Sequence, residues 1–221
     1  AHLQPLYFCD FMFARGRRFE RIAQVKILNR FPELWADLEK LSKAVYAASL
    51  VDLVVRPGAR EVRLFELLRT TLTVISSEAR NLTPSIEQGV GSLGSARDDR
   101  LLILFSLHLL KESGFAPELH QCVICKHTVQ GLSKPFDAIR GGVLCNDCFM
   151  SGAEHAFLVS SLTIEALEMI LTSPLTSLEM PELIAQELTQ IARAMVSAHF
   201  GEVPKARYFV DAIVKETNVY A

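Results

Sequence analysis

Four of the five cysteines in this chain fall within one stretch, "CVICKHTVQGLSKPFDAIRGGVLCNDC", as Cys122, Cys125, Cys145 and Cys148. The spacing C-x2-C-x19-C-x2-C is that of a zinc site, in which each C-x-x-C turn aims two thiolates at one ion. Gly141 and Gly142 allow the tight backbone that leads into the second pair. Four thiolates complete a tetrahedron and leave no position for water or substrate, so the chemistry expected is structural Zn2+ and not hydrolysis. A redox dithiol, two disulfides or an iron centre are the competing readings. A redox C-x-x-C normally stands alone beside a βαβ pattern, which is absent here. His120 and His127 flank the first pair as substitute ligands or, since the cysteines already complete the shell, as surface residues.

The densest positive cluster is Arg15, Arg17, Arg18 and Arg21, interleaved with Phe13 and Phe19. Guanidinium groups beside exposed aromatics suit phosphate contact and base stacking on single-stranded nucleic acid, and an ordinary solvated turn would look the same. Lys205 and Arg207 form a smaller basic pair, for which a solvated surface is the simpler reading. His108 sits in the most apolar segment and His199 near the end of another. With no nucleophile or paired carboxylate at a recognisable spacing, both read as satisfied core or cap histidines. There is no P-loop, dinucleotide-binding glycine pattern, nucleophile elbow or H-E-x-x-H, so nothing supports an enzyme.

The elements that must position these groups are mostly helices. Segments 6–13 and 19–28 alternate as strands, with Tyr7, Cys9, Phe11 and Phe13 on one face, and "ARGRR" supplies the connection between them. A lone hairpin is marginal, so the segment reads as part of a truncated N-terminal β domain over residues 1–30. A helix follows Pro32, with Leu34, Leu38, Leu41 and Val45 on its apolar face, and ends at Arg56-Pro57-Gly58. Further helices are expected over 61–75, over 100–113 as the central one, around Ile164–Leu171, from Pro181 to Gly201, and over 206–214. The fold class is therefore α+β, mostly α: a β remnant, then a helical domain over 31–221 carrying the cysteine module at 118–150.

Residues 76–99 are rich in Ser and Gly, show no period and read as a flexible, expendable insertion, a functional lid being the alternative. Half the residues are hydrophobic, yet the longest apolar run, Leu101 to Leu110, is bounded by Arg100 and Lys111 and falls short of the roughly 20 residues a bilayer requires. A formal net charge of −2 excludes a protein that coats nucleic acid by bulk charge, so any polyanion site is local. Cysteines spaced for metal, with no secretion signal, point to a reducing compartment.

These parts, in this order, resemble the RecO family of DNA repair proteins. The resemblance is carried by "LQPLYFCDFMFARGRRFERIAQVKILNRFPELWADLEKLSKAVYAASLVDLVV", "LFELLRTTL", "HLLKESGFAPELHQCVIC", "GGVLCNDC" and, more loosely, "HFGEVPKARYFV". It spans nearly everything outside 76–99. It implies an OB-fold ahead of the helical domain, the hairpin being its last strands, and a cytoplasmic, nucleoid-associated recombination mediator that is not an enzyme. Such a mediator binds and anneals single- and double-stranded DNA, works with RecR and single-stranded-DNA-binding protein, and helps load the recombinase. The hairpin arginines, with Lys205 and Arg207, would then touch DNA, and the metal would serve the fold and not the activity. Cys9, in a strand that departs from the family's more acidic and aliphatic one, gains no role. The alternative is a zinc-stabilised protein-interaction module with little direct DNA contact.

Overall fold

The structure is a computed structural model that describes residues 3–17, 19–77, 91–173, 180–201 and 204–206, with the backbone alone for 91–99. The described part opens with an antiparallel hairpin of β1 (Phe8–Ala14) and β2 (Arg21–Asn29), pairing Phe11 with Val25 and Phe13 with Ile22. Both strands start about two residues later than the alternation suggests. Irregularities between Phe8 and Cys9 and between Met12 and Phe13 break the simple two-residue period, although the Phe11 and Phe13 rings still stack at 6.2 Å. No third strand joins this sheet among the described residues, and most of the hairpin is exposed.

Phe31 ties the hairpin to the helical body. It is buried, adopts a left-handed backbone (φ 45°), and donates its N–H to Asn29 Oδ1 at 2.9 Å. The single helix expected after Pro32 is in fact two. A short α1 (Pro32–Trp35) stops before Asp37, whose carboxylate accepts the N–H groups of Glu39 and Lys40 and starts α2 (Leu38–Val54). This break overturns the expected apolar face. Leu34 is buried from α1, but Leu38 (59 % exposed) and Val45 (42 %) point outward, and α2 buries Lys43, Ala44, Ala47 and Leu50 instead. Small alanines let α2 approach its neighbours closely, and the buried Lys43 ammonium is held by Glu39 at 2.5 Å.

The helix α3 (Val62–Ser77) buries Leu64, Leu72 and Ile75 as its spacing requires. The central helix α4 (Gly91–Glu112) has every side chain from Leu101 to Leu110 buried, and it packs on α2, α3, α6 and α7. It starts nine residues earlier than expected. Residues 91–99, read as insertion, are helical, because once a packed helix is nucleated its extension is cheap even through Ser and Gly; residues 78–90 lie outside the described residues. Gly114 (φ 87°) ends the segment.

A second sheet was not foreseen. It consists of β3 (Ser133–Asp137), β4 (Gly142–Val143) and β5 (Ala156–Ser160) in the antiparallel order β4-β3-β5, with α5 (Asn146–Met150) between β4 and β5. These strands are too short to show a period. Pro135 in the central strand disguises β3 further, since a proline is normally confined to sheet edges. The last described helices are α6 (Ser161–Thr172) and α7 (Glu182–Phe200), where Ile164, Leu167, Ile170, Leu188, Ile191 and Met195 are buried as their spacing indicates. Glu187 of α7 reaches the start of α6, accepting from Thr163 Oγ1 and from the Ser160 N–H at 2.9 Å. Lys111 closes the other end of α6 by donating to the Leu171 carbonyl. The helix expected over 206–214 falls outside the described residues, apart from Ala206. Among the described residues no helix is long and apolar enough to cross a membrane.

His108 lies in the α4 core, as expected. Burial depresses its pKa, the Lys111 ammonium adds to this, and Glu112 opposes it. The native state therefore prefers neutral imidazole, and its stability is complete above the unfolded value of about 6.5 and declines as pH falls from there towards the depressed native value. Urea midpoints are expected to drop between about pH 7 and pH 5, and the His108→Gln variant, which cannot protonate in this range, is expected to lose part of that drop.

Candidate metal centre

The first cysteine pair sits at the tip of a small loop stitched at its base. The Cys122 N–H donates to the His127 carbonyl at 2.8 Å, the Val129 N–H to His120 at 2.9 Å, and the Lys126 N–H back to Cys122 at 2.9 Å. The second pair brackets the first turn of α5, with Cys145 just before the helix and Cys148 within it. The Val123 N–H donates to the Val143 carbonyl at 3.0 Å, and Glu118 and Gly142 form a parallel bridge, so the two loops are held side by side.

The four sulfur atoms all lie within 4.8 Å of one another, and Cys125 Sγ and Cys145 Sγ are 3.5 Å apart. A tetrahedron with metal–sulfur bonds of about 2.3 Å has edges of about 3.8 Å, so this cluster could hold one metal ion. Electrostatics agrees with the geometry. Burial opposes ionisation of Cys122, but the N–H groups of Cys125, Cys145 and Ile124 outweigh it and bring the thiol down to about 6. Cys148 is pushed up to about 12, first by its contact with the Cys145 sulfur and then by burial and by Cys125 and Cys122. One thiolate forms readily and its neighbours then resist the next, a conflict that a central cation resolves. Among the described residues these four form the only such donor group. His120 is exposed and pairs with Glu168 at 3.2 Å, and His127 is exposed too, in keeping with the surface reading.

Two backbone features make the arrangement possible. A Cβ on Gly142 would meet the Glu118 carbonyl oxygen at 2.5 Å and Val123 Cγ1 at 2.8 Å, so only glycine fits between the two loops. Lys126 is left-handed (φ 64°), a conformation that costs a residue with a Cβ roughly 1–2 kcal/mol. Lys126→Gly is accordingly expected to stabilise the protein by about 0.5–1 kcal/mol in urea unfolding, after the entropy lost by glycine is counted.

Sequence reasoning passed over Asp137, a wholly buried carboxylate that builds the turn into Gly141. It accepts the N–H groups of Ile139 and Arg140 at 3.0 Å and the Arg140 guanidinium at 2.5 Å. Burial would raise its pKa, but these donors win and hold it below the usual value. The signal was present in "DAIRGG", an Asp ahead of a glycine turn. Glu118 does the same for the first loop, accepting from the His120 and Gln121 N–H groups. His199 departs from the expectation of a satisfied histidine: its ring stacks on Phe115 at 4.6 Å, but its buried Nε2 has no hydrogen-bond partner among the described residues.

Arg15 and Arg17 lie exposed in the connection between β1 and β2, Arg21 is exposed at the start of β2, and Phe19 between them is 81 % exposed. Lys205 is exposed near the far end of the described chain, while Arg18 and Arg207 fall outside the described residues. Cys9 is half-buried on β1, facing Ile27 across the ladder.

Fold and site together define an α+β protein, about half of it helical, whose helical body carries a four-cysteine cluster able to hold a metal ion. Residues 92–207, more than half of the chain, match the family model described as Recombination protein O C terminal, and the chain belongs to the RecO family. Its relatives include proteins named DNA repair protein RecO from three bacteria. That of Desulforamulus reducens is 28% identical over 216 residues, covering 96% of this chain and 77% of the relative. That of Roseiflexus sp. is also 28% identical over 216 residues, covering 96% and 70%. That of Rubrobacter xylanophilus is 29% identical over 199 residues, covering 90% and 73%.

Proposed function

We propose that this chain serves DNA repair and recombination as a non-enzymatic mediator that binds and anneals single- and double-stranded DNA. With RecR and single-stranded-DNA-binding protein it helps load the recombinase, in the cytoplasm at the nucleoid. The observation that carries the reading is the family match, together with relatives along nearly the whole chain that are named for DNA repair. In this reading residues 1–30 are the last strands of an OB-fold and residues 31–221 the helical domain. Zn2+ is held by Cys122, Cys125, Cys145 and Cys148 and supports the fold alone. The close sulfur set and its resistance to full ionisation without a cation favour that assignment.

DNA contact is assigned to Arg15, Arg17, Arg18 and Arg21, with Lys205 and Arg207 as an outlying pair. Support comes from the exposure of Arg15, Arg17 and Arg21 beside Phe13 and Phe19, where guanidinium groups reach phosphates and rings are open to stacking bases. Phosphate contacts release counterions, by about 0.7 per contact on a single strand. Replacing all four hairpin arginines by alanine is therefore expected to flatten the slope of log affinity against log salt by up to roughly 3, read by fluorescence anisotropy on a labelled oligonucleotide. An affinity insensitive to salt, or unchanged in that variant, would remove the hairpin from the interface. The near-neutral net charge favours a second reading, a zinc-stabilised module that captures partner proteins with little DNA contact. Binding to the acidic tail of single-stranded-DNA-binding protein without binding to DNA would select it.

A further inference from the structure

The four cysteines of the cluster differ in what can reach them. Cys122 is wholly buried, whereas Cys125, Cys145 and Cys148 are half-buried, and Cys125 lies between two exposed residues, Ile124 and Lys126. Cys125 belongs to the first loop and Cys145 to the second, and their sulfur atoms are in contact at 3.5 Å. A disulfide has an S–S bond of about 2.05 Å, so the two need to close by roughly 1.5 Å. Contacts that involve no sulfur bring them this near. Beside the bond from Val123 to Val143, the Glu118 N–H donates to the Gly141 carbonyl and the Val143 N–H to the Glu118 carbonyl, both at 2.9 Å. Asp137 fixes the turn ahead of the second loop through the N–H groups of Ile139 and Arg140.

We propose that Cys125 and Cys145 are a site of reversible oxidation, joined by a disulfide across the two loops when the chain meets a peroxide. The thiolate of one attacks a peroxide oxygen; the O–O bond breaks, hydroxide leaves and the attacking sulfur becomes a sulfenic acid. The thiolate of the other attacks that sulfur, forming the S–S bond and breaking the S–O bond, and a second hydroxide leaves. Two electrons pass from the two sulfurs to the peroxide. A dithiol restores both thiols by exchange and is itself oxidised to a disulfide.

Oxidation leaves Cys122 and Cys148 as the remaining thiolates, and two do not complete the tetrahedron of a structural zinc site, so the Zn2+ assigned above is released. That release rests on the zinc assignment, whereas the cross-link needs the chain's own sulfurs alone. Bond and metal tie the same two loops. Disulfides within the C-x-x-C pairs would leave the loops untied, but a bond from Cys125 to Cys145 restricts the unfolded chain and takes over part of the metal's role. The site thus exchanges a metal-held form for a cross-linked one as the surroundings become oxidising.

Cys9→Ser removes the fifth thiol, which lies on β1. The zinc-loaded Cys9→Ser chain is treated with about one equivalent of hydrogen peroxide, alkylated in denaturant and mapped by mass spectrometry. Label is expected on Cys122 and Cys148 and is expected to be absent from Cys125 and Cys145 until a dithiol is added. Free zinc, read with a chelating dye, is expected to rise towards about one per chain as the bond forms, and to be taken up again after reduction. The oxidised, metal-free chain is expected to unfold at a higher urea concentration than the reduced, chelated chain. Disulfides within the C-x-x-C pairs overturn the proposal, as do four thiols unchanged by peroxide, zinc retained after the bond has formed, or a urea midpoint no higher than that of the chelated chain. The same labelling in a chain that never bound zinc supports the cross-link and removes the metal assignment instead.

Discussion

Cys122→Ala is expected to lower bound zinc from about one per chain to far below one and to unfold the segment from Glu118 to Met150. Cys122 is wholly buried, and its sulfur is the one most readily ionised in the cluster. Apparent zinc affinity in small structural modules is worth roughly 10–16 kcal/mol near neutral pH, as much as the whole stability of a typical domain. The damage should spread, because Val123, Val143 and Leu144 belong to the same continuous core as α4, α6 and α7. A loss of at least about 3 kcal/mol in urea unfolding is expected, and prolonged chelation of the unmodified chain should reproduce it. Metal analysis by mass spectrometry and the charge-transfer bands of a cobalt-loaded sample read the ligand set directly. Full metal content in the variant would show that the Cys122 sulfur is not a ligand.

Phe105→Ala is expected to cost about 3–5 kcal/mol, among the largest effects of any single truncation in the helical body. Phe105 is completely buried at the middle of the enclosed run of α4, with Leu101, Leu102, Ile103 and Leu104 before it and Leu107, Leu109 and Leu110 after it also buried. A helix enclosed on all sides cannot close the resulting cavity by settling towards solvent, so the cost belongs at the upper end of the range. Chemical denaturation measures it, and an unchanged zinc content in the same sample would separate a core defect from a metal defect. A cost below about 1 kcal/mol would place α4 at an edge of the fold and not at its centre.

The reach of the sequence can be traced through particular residues. The α4 segment was legible because ten consecutive buried positions need no period to be recognised, and the cysteines because metal geometry fixes their spacing. The α2 face was not. Leu38, Leu41 and Val45 follow a helical period as well as any core residues do, and only tertiary packing reveals that the interior took Lys43, Ala44 and Ala47 instead. The sheet of β3, β4 and β5 escaped because its strands run from two to five residues and one contains Pro135. For the candidate site, the sulfur ligands could be read in advance, but the groups that hold them in place could not all be. Asp137 and Glu118 act through backbone N–H groups one turn away, and Lys126 through a backbone conformation that its side chain conceals. The arginines of the hairpin were visible as a cluster, yet their chemistry rests on exposure, a tertiary property.

Under the function proposed above, this chain is a mediator that brings DNA strands together. The most direct measurement follows the pairing of two complementary labelled oligonucleotides, each coated with single-stranded-DNA-binding protein, by energy transfer with and without the zinc-loaded chain. Pairing is expected to accelerate at least about tenfold at low salt, to slow steeply as salt rises, and to fall back when Arg15, Arg17, Arg18 and Arg21 are replaced by alanine. Pairing no faster than in the absence of the chain, with the fold and the metal intact, would contradict the account.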